Sequence, residues 1–239
     1  MDKIKELIHQ AKRIVVFSGA GFSTESNIPD FRSDTGIYRK KQYPYPCEEM
    51  ISHDFFMHHT KAFYEFYRNE MIYADAKANR GHLAVSKLEL LGKLEAIITQ
   101  NIDGLHQLAG NKKVLELHGS IHRNYCMNCH TFYNLDKILE SNDIPYCDKC
   151  GGIIKPDVVL YQESLDGNIL TQAMQSLQRA DLLIVAGTSL MVYPAAGLLQ
   201  YFKGQDIILI NHDATNADKI ASVVCREDIG SVLDFINHE

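Results

Sequence analysis

Apolar residues recur at two different spacings along this chain, and the alternation between them is its main organising signal. Ile4, Leu7, Ile8 and Ala11 fall on one stripe at the 3.6-residue period of a helix, whereas Arg13-Ile14-Val15-Val16-Phe17 is an apolar run too short for one. The first predicts an amphipathic helix. The second predicts a buried strand that ends at Ser18-Gly19-Ala20-Gly21. Strand, glycine turn and helix start together form the geometry of a first βα unit that cradles phosphate. Further runs read as strands at Leu94 to Thr99, Val114 to Leu117, Asp157 to Leu160, Leu182 to Ala186 and Ile207 to Ile210.

These runs end in small or polar residues and alternate with helical text. The expected fold is therefore α/β, a Rossmann-like mostly parallel sheet with helices on both faces and functional loops at its carboxyl edge. Two stretches interrupt the alternation. Residues 33–80 carry helical, aromatic-rich text (Phe55, Phe56, Phe63, Tyr64, Phe66, Tyr67) without a convincing strand, and residues 122–155 hold four cysteines. Both read as insertions into one nucleotide-binding domain formed by residues 1–32, 81–121 and 156–239. The helical module and the cysteine module then make a small second domain, with the cleft between the two as the default site.

The cysteines add chemistry to this picture. Cys126 and Cys129, then Cys147 and Cys150, form two C-x2-C knuckles, and four thiolates close a tetrahedron around zinc with no open position for water. Such a site holds structure and does not catalyse. Zinc knuckles also read nucleic acids, but Thr131-Phe132-Tyr133-Asn134 and the acidic Asp136, Glu140 and Asp143 offer no basic stripe. The net charge of −6 points the same way, away from nucleic-acid partners. A composition of 46% hydrophobic and 23% charged residues is that of an ordinary globular protein. No apolar run approaches membrane-spanning length, and four of the six cysteines fit zinc, so a membrane partner is not expected and a reducing, cytoplasmic location is.

Gly19-Ala20-Gly21 alone is weak evidence for a nucleotide site, because Thr24 stands where the dinucleotide fingerprint has its third glycine. Ser23 and Thr24 can cap a helix or meet phosphate, and Arg32 can pair with phosphate or with a surface carboxylate. Ile28-Pro29-Asp30-Phe31-Arg32, Thr99-Gln100-Asn101-Ile102-Asp103-Gly104-Leu105-His106, Leu117-His118-Gly119, the knuckles, Gly187-Thr188-Ser189-Leu190 and Ile210-Asn211 then follow in order. With them the chain resembles the sirtuins, NAD-dependent protein-lysine deacylases, and its last part is most similar to the bacterial members.

The resemblance implies NAD as co-substrate, one structural zinc ion and acetylated protein or peptide substrates. Ala20, Thr24 and Arg32 would line the NAD phosphates and ribose, Phe31 would shield the reacting sugar carbon, and Gln100 would contact the nicotinamide-side ribose. Ile102 and Asp103 would hold the carboxamide. Thr188, Ser189 and Asn211 would meet the adenosine half, with Ile229 near the adenine. His118 would be the general base, and Asn101 would position a ribose hydroxyl or water. A histidine with an ordinary pKa of about 6.5 can accept a proton near neutral pH. His82, His106 and His212 read as structural.

In the reaction so implied, the acyl-lysine oxygen displaces nicotinamide from the ribose, His118 deprotonates a ribose hydroxyl, and water completes release of lysine and acylated ADP-ribose. The peptide would lie as an added strand between Asp157-Val158-Val159-Leu160-Tyr161 and Leu190-Met191-Val192-Tyr193. Two residues depart from the family pattern: Asn27 and Gln162 stand where glycine is usual. Family members that prefer acidic acyl groups carry Tyr-x-x-Arg in the helical insertion. Tyr64-Glu65-Phe66-Tyr67-Arg68 is the nearest text, and Glu65 would neutralise Arg68, so acetyl-lysine is expected over succinyl-lysine. An NAD glycohydrolase, a protein ADP-ribosyltransferase and a zinc-stabilised binder without turnover are the rival readings.

Overall fold

The computed structural model describes residues 1–40 and 42–239. Its strands are β1 (Ile14–Ser18), β2 (Leu94–Thr99), β3 (Val114–Glu116), β4 (Gly119–Cys126), β5 (Phe132–Tyr133), β6 (Ile154–Val158), β7 (Leu182–Ala186), β8 (Asp206–Ile210) and β9 (Val223–Cys225). Six of them form a parallel sheet in the order β3-β2-β1-β7-β8-β9, and β5-β4-β6 form a separate antiparallel sheet. The helices are α1 (Asp2–Gln10), α2 (Cys47–Met50), α3 (His53–His58), α4 (Thr60–Phe66), α5 (Arg80–Leu90), α6 (Leu105–Leu108), α7 (Leu135–Leu139), α8 (Gly167–Arg179) and α9 (Ile229–Leu233). None of the described helices is long and apolar enough to cross a membrane.

Period-two alternation explains how continuous apolar strands serve two cores. Ile14, Val16, Leu182 and Ile184 point to one face, where Ile4 and Ile8 of α1, Val85 and Leu88 of α5 and Val232 of α9 cover them. Val15, Phe17, Leu183 and Val185 point to the other, under Ala173 and Leu177 of α8. A third core joins the aromatic helices to the small sheet: Phe55, Phe56, Phe63, Tyr64, Phe66 and Tyr67 pack with Ile121, Cys126, Ile154 and Val158.

Three features differ from the sequence expectation. The strand expected at Asp157 to Leu160 forms earlier, as β6, and pairs antiparallel with β4 rather than joining the main sheet. β4 itself begins at Gly119, whose φ is +75°; a Cβ there would lie 1.9 Å from the Asp157 carbonyl oxygen, so only glycine allows the two backbones to meet. No α-helix starts after the first glycine turn. Two 3₁₀ turns, Ala20–Phe22 and Thr24–Ser26, stand in its place, ended by Asn27 in the left-handed region and by Pro29, which has no N–H to continue a helix.

Candidate active site

The strand order reverses between β1 and β7, and there the carboxyl ends of neighbouring strands diverge and leave a crevice. A cleft of about 370 Å³ lies at that point. Parallel pairing runs one step past the strands into its walls: Gln100 donates to Ser18 O (2.9 Å), Gly19 to Ala186 O (3.1 Å) and Gly21 to Gly187 O (2.8 Å). A Cβ on Gly19 would sit 2.7 Å from the Gly187 oxygen, and one on Gly21 would sit 2.8 Å from the Gly187 Cα. The glycines of the first turn are thus required by the loop after β7, whatever ligand they also face.

Ala20, Thr24, Phe31, Arg32, Gln100, Asn101, Ile102, Asp103, His118, Thr188, Ser189, Asn211 and Ile229 all line this one cleft. A polar relay joins several of them. Ser23 Oγ donates to Asp103 Oδ2 (2.7 Å) and accepts from Asn101 Nδ2 (3.1 Å), which also donates to Gly19 O (3.1 Å). Both amide protons of Asn101 are committed, so its Oδ1 is the end left for the cleft. Leu105 N–H donates to Asp103 Oδ1 (2.8 Å), and burial raises the Asp103 pKa. Gln100 Nε2 donates to Thr188 Oγ1 (2.8 Å), which orients both side chains.

His118 sits at the end of the β3 segment with its Nδ1 2.9 Å from the Gln100 carbonyl oxygen. A carbonyl only accepts, so Nδ1 carries the proton and Nε2 keeps its lone pair. Burial lowers the His118 pKa, which keeps the ring neutral at pH 7. A neutral ring with a fixed tautomer can accept a proton at Nε2. His82 and His106 are buried away from the cleft, their rings 4.8 Å apart, and His106 Nε2 lies 3.0 Å from Ser18 Oγ. His212 does line the cleft, exposed and 3.1 Å from Asp228.

The sequence pattern missed several contacts in the wall. Ser23 neither caps a helix nor stays exposed; its partners are Asn101 and Asp103. Glu25 accepts from Gly230 N–H at 2.6 Å and so ties the first turn to α9 beside Ile229. Tyr38 and Tyr161 join hydroxyls across the cleft at 2.9 Å, and Phe31 packs on Tyr38 with ring centroids 5.3 Å apart. Nothing in the local spacing of these residues signals a contact between segments so far apart in the chain.

The peptide-side backbone is less free than expected. Val159 N–H donates to His118 O, Leu160 N–H to Glu163 Oε2 and Tyr161 N–H to Ile51 O. Among the described residues, the Val159 carbonyl and the N–H groups of Met191, Val192 and Tyr193 remain without partners. Gln162 and Asn27 have φ of 76° and 62°, the left-handed region that favours glycine. Gln162 is held there by two bonds to Asp54, accepting from its N–H (2.9 Å) and donating to its Oδ2 (2.8 Å).

Arg68 is not neutralised by Glu65, as the sequence suggested. Its guanidinium donates to the carbonyls of Ile138 (2.9 Å), Tyr64 (3.4 Å) and Asp143, bracing the aromatic helices against the cysteine module, and it does not line the cleft. Tyr67, one residue earlier, does.

The four cysteine sulfurs Cys126, Cys129, Cys147 and Cys150 lie within 4.8 Å of one another, with three pairs at 3.4, 3.4 and 3.5 Å. A tetrahedral zinc with Zn–S of about 2.3 Å sets sulfurs about 3.8 Å apart, so the cluster fits the ion. None of the four lines the cleft.

The Sir2 family profile matches residues 19–194, the stretch that contains the glycine turn, the Asn-x-Asp loop, His118 and the cysteines. The chain belongs to the Sir2 family. An NAD-dependent protein deacetylase of Clostridium acetobutylicum is 56% identical to it over 238 residues, 99% of this chain and 97% of that protein. Among solved structures, a Sir2–p53 peptide–NAD+ complex superposes with a TM-score of 0.86 at 38% identity, covering 100% of this chain and 97% of that one. Sir2Tm bound to a propionylated peptide gives 0.87 at 37% identity, with the same coverage. This sirtuin therefore carries its family motifs on one cleft wall, with the cysteine cluster set apart from it.

Proposed function

We propose that the chain is an NAD-dependent protein-lysine deacetylase that moves the acetyl group from lysine to ADP-ribose and releases nicotinamide. The observation that carries this reading is the state of His118: neutral, Nδ1 held by the Gln100 carbonyl, and Nε2 free on the wall that Asn101 and Asp103 share. Family relatives with this activity support it across the whole chain. Bound NAD supplies the ribose carbon that the acyl oxygen attacks. The chain's own residues bind, orient and move the proton.

Asp103 and Ile102 hold the carboxamide, and the Ser23–Asn101 relay fixes the Asp103 carboxylate in place. Gln100, held by its bond to Thr188, orients the nicotinamide-side ribose, and Asn101 Oδ1 positions a hydroxyl or water beside His118. Ala20, Thr24 and Arg32 meet the phosphates, and Phe31 covers the reacting carbon. Thr188, Ser189 and Asn211 take the adenosine half, with Ile229 near the adenine. His118 Nε2 accepts the ribose hydroxyl proton, a positioned transfer that contributes about 10²–10⁴-fold. The acetylated peptide enters as an extended strand between the Val159 carbonyl and the free N–H groups of Met191, Val192 and Tyr193.

One zinc ion on Cys126, Cys129, Cys147 and Cys150 holds the module that residues 122–155 form with the helical stretch 33–80; the remaining segments build the NAD-binding domain. The cytoplasm, where free thiols persist, is the proposed location. The test is to mix the protein with NAD and an acetylated peptide, following nicotinamide and peptide mass. Nicotinamide together with a deacetylated peptide is the expected result. Nicotinamide without a change in peptide mass would refute it in favour of glycohydrolase or ADP-ribosyl transfer, and neither product would leave a binding module.

A further inference from the structure

Among the described residues, five buried side-chain atoms lack a hydrogen-bond partner: Tyr67 OH, His82 Nε2, His106 Nδ1, Asn111 Oδ1 and Asn124 Oδ1. Only Tyr67 lines the cleft. Leaving a buried hydroxyl unsatisfied costs about 1–3 kcal/mol, and proteins tolerate this chiefly where a ligand or water supplies the missing partner.

The surroundings of Tyr67 narrow what that partner is. Tyr67 is 1% exposed and opens the π-helical turn Tyr67–Met71 that continues α4, a widened turn of the kind that recurs at functional sites. Phe63 stacks on its ring at 5.4 Å and 13°, and Tyr64 meets it edge-on at 6.4 Å, so the ring has little freedom. The cleft residues that share its core, among them Ile37, Ile51, Met71, Ile102, Val158 and Leu160, are apolar apart from Tyr38, whose hydroxyl is already bonded to Tyr161 at 2.9 Å. Glu70, on the same turn, is already filled by Lys40, Gln42 (3.0 Å) and Tyr43 (2.6 Å). Burial raises the Tyr67 pKa well above its ordinary value, so the hydroxyl stays protonated and can donate.

We propose that Tyr67 determines acyl selectivity: its hydroxyl bonds an oxygen carried on the substrate's acyl chain beyond the scissile carbonyl, favouring hydroxyacyl-lysine over the plain acyl chain of equal length. The inference rests on the deacylase reading and deepens it. An apolar pocket end with one unpaired hydroxyl discriminates through that hydroxyl, because the plain chain leaves it unsatisfied and the hydroxylated chain does not.

The experiment uses one peptide bearing butyryl-lysine or either enantiomer of 3-hydroxybutyryl-lysine, with acetyl-lysine as reference, on the wild type and Tyr67→Phe. Each protein is read as the hydroxybutyryl-to-butyryl ratio of kcat/KM, which cancels any loss of folded or active enzyme. The ratio for the better enantiomer should fall about two- to tenfold in Tyr67→Phe, the worth of one neutral hydrogen bond. An unchanged ratio for both enantiomers overturns the proposal. If acetyl-peptide is not turned over at all, the deacylase reading fails, and the same ratio measured as peptide Kd by calorimetry still decides the role of Tyr67.

Discussion

His82 and His106 should make this fold acid-labile, and the size of the effect can be worked out from their burial. His82 is fully buried on α5, where its Nδ1 accepts from the Asn79 N–H (3.3 Å), and burial pushes its pKa down to about 3. The open chain has an ordinary value near 6.5. A ring whose pKa is lower in the fold contributes stability fully above the open-chain value, and loses it as pH falls through about 6.5 toward the folded value. Between pH 7.5 and 5.5 such a ring costs about 1.4 kcal/mol, from RT ln of the tenfold change in the open chain's proton-binding factor. Urea unfolding of the wild type and His82→Leu at the two pH values isolates this ring, because zinc, carboxylates and the other histidines cancel in the difference. The variant should be less stable at pH 7.5, through lost packing and capping, yet should lose about 1.4 kcal/mol less than the wild type on acidification. Equal losses would show that the ring is protonated inside the fold and would refute the reasoning.

Four further outcomes are expected. His118→Ala should lower deacetylation kcat by about 10²–10⁴-fold with NAD affinity, read by calorimetry, within a few-fold of wild type; turnover within tenfold would remove His118 from the base role. Because burial depresses the His118 pKa, the acid limb of its pH profile should lie below 6.5, and a limb above that value would contradict the assigned burial. Cys126→Ser should abolish stoichiometric zinc and the yield of folded protein, since zinc on four thiolates supplies on the order of 10 kcal/mol to folding; a metal-free, folded and active protein would overturn the structural-zinc assignment. Acetyl-lysine should be preferred over succinyl-lysine on one peptide, because Arg68 is committed to main-chain carbonyls and Arg32 is the one Lys or Arg among the described residues lining the cleft; a succinyl kcat/KM equal to or above acetyl would show a cationic acyl pocket.

Elements whose signal is local were legible in the sequence. β2 and β7 form at the residues their apolar runs mark, and β1 is offset by one, because a continuous apolar run of five or six residues in this setting has no competing solution. Much of the cleft wall follows from them, since Gly19, Gln100, His118, Gly187 and Asn211 each stand one or two residues past a strand end. What was missed depends on distant partners. β6 is drawn out of the main sheet by β4, whose eight residues mix polar and apolar positions without a clean period. The expected helix after Gly21 gives way to 3₁₀ turns, and Ser23 bonds Asp103, eighty positions away. Arg68 was the wrong cation to weigh because its carbonyl partners belong to a module that only the fold brings near.

Asn27 and Gln162 show how such departures are accommodated. Both occupy backbone that glycine would enter without strain, and a non-glycine residue there is disfavoured by roughly 1 kcal/mol. Asn27 ends the Thr24–Ser26 turn, where the short amide side chain of asparagine makes the left-handed state common. Gln162 has no such intrinsic tolerance, and its compensation is external: two hydrogen bonds to Asp54 at the start of α3. Those bonds fasten the turn that carries Tyr161 and Glu163 to the aromatic helices. Glu163 strengthens the attachment by pairing with His53 at 2.9 Å, one residue before Asp54. The proposed peptide edge is therefore anchored to the same helical module that supplies Tyr67, whereas Asn101 and Asp103 follow β2 of the parallel sheet; His118 joins the two, its Nδ1 held by the Gln100 carbonyl and its own carbonyl accepting from Val159 N–H. The proposed chemistry and acyl recognition thus draw on different cores, so a substitution in the helical module is expected to retune which acyl chain is accepted with little displacement of the His118 ring, whose Nδ1 is held from the sheet side by Gln100.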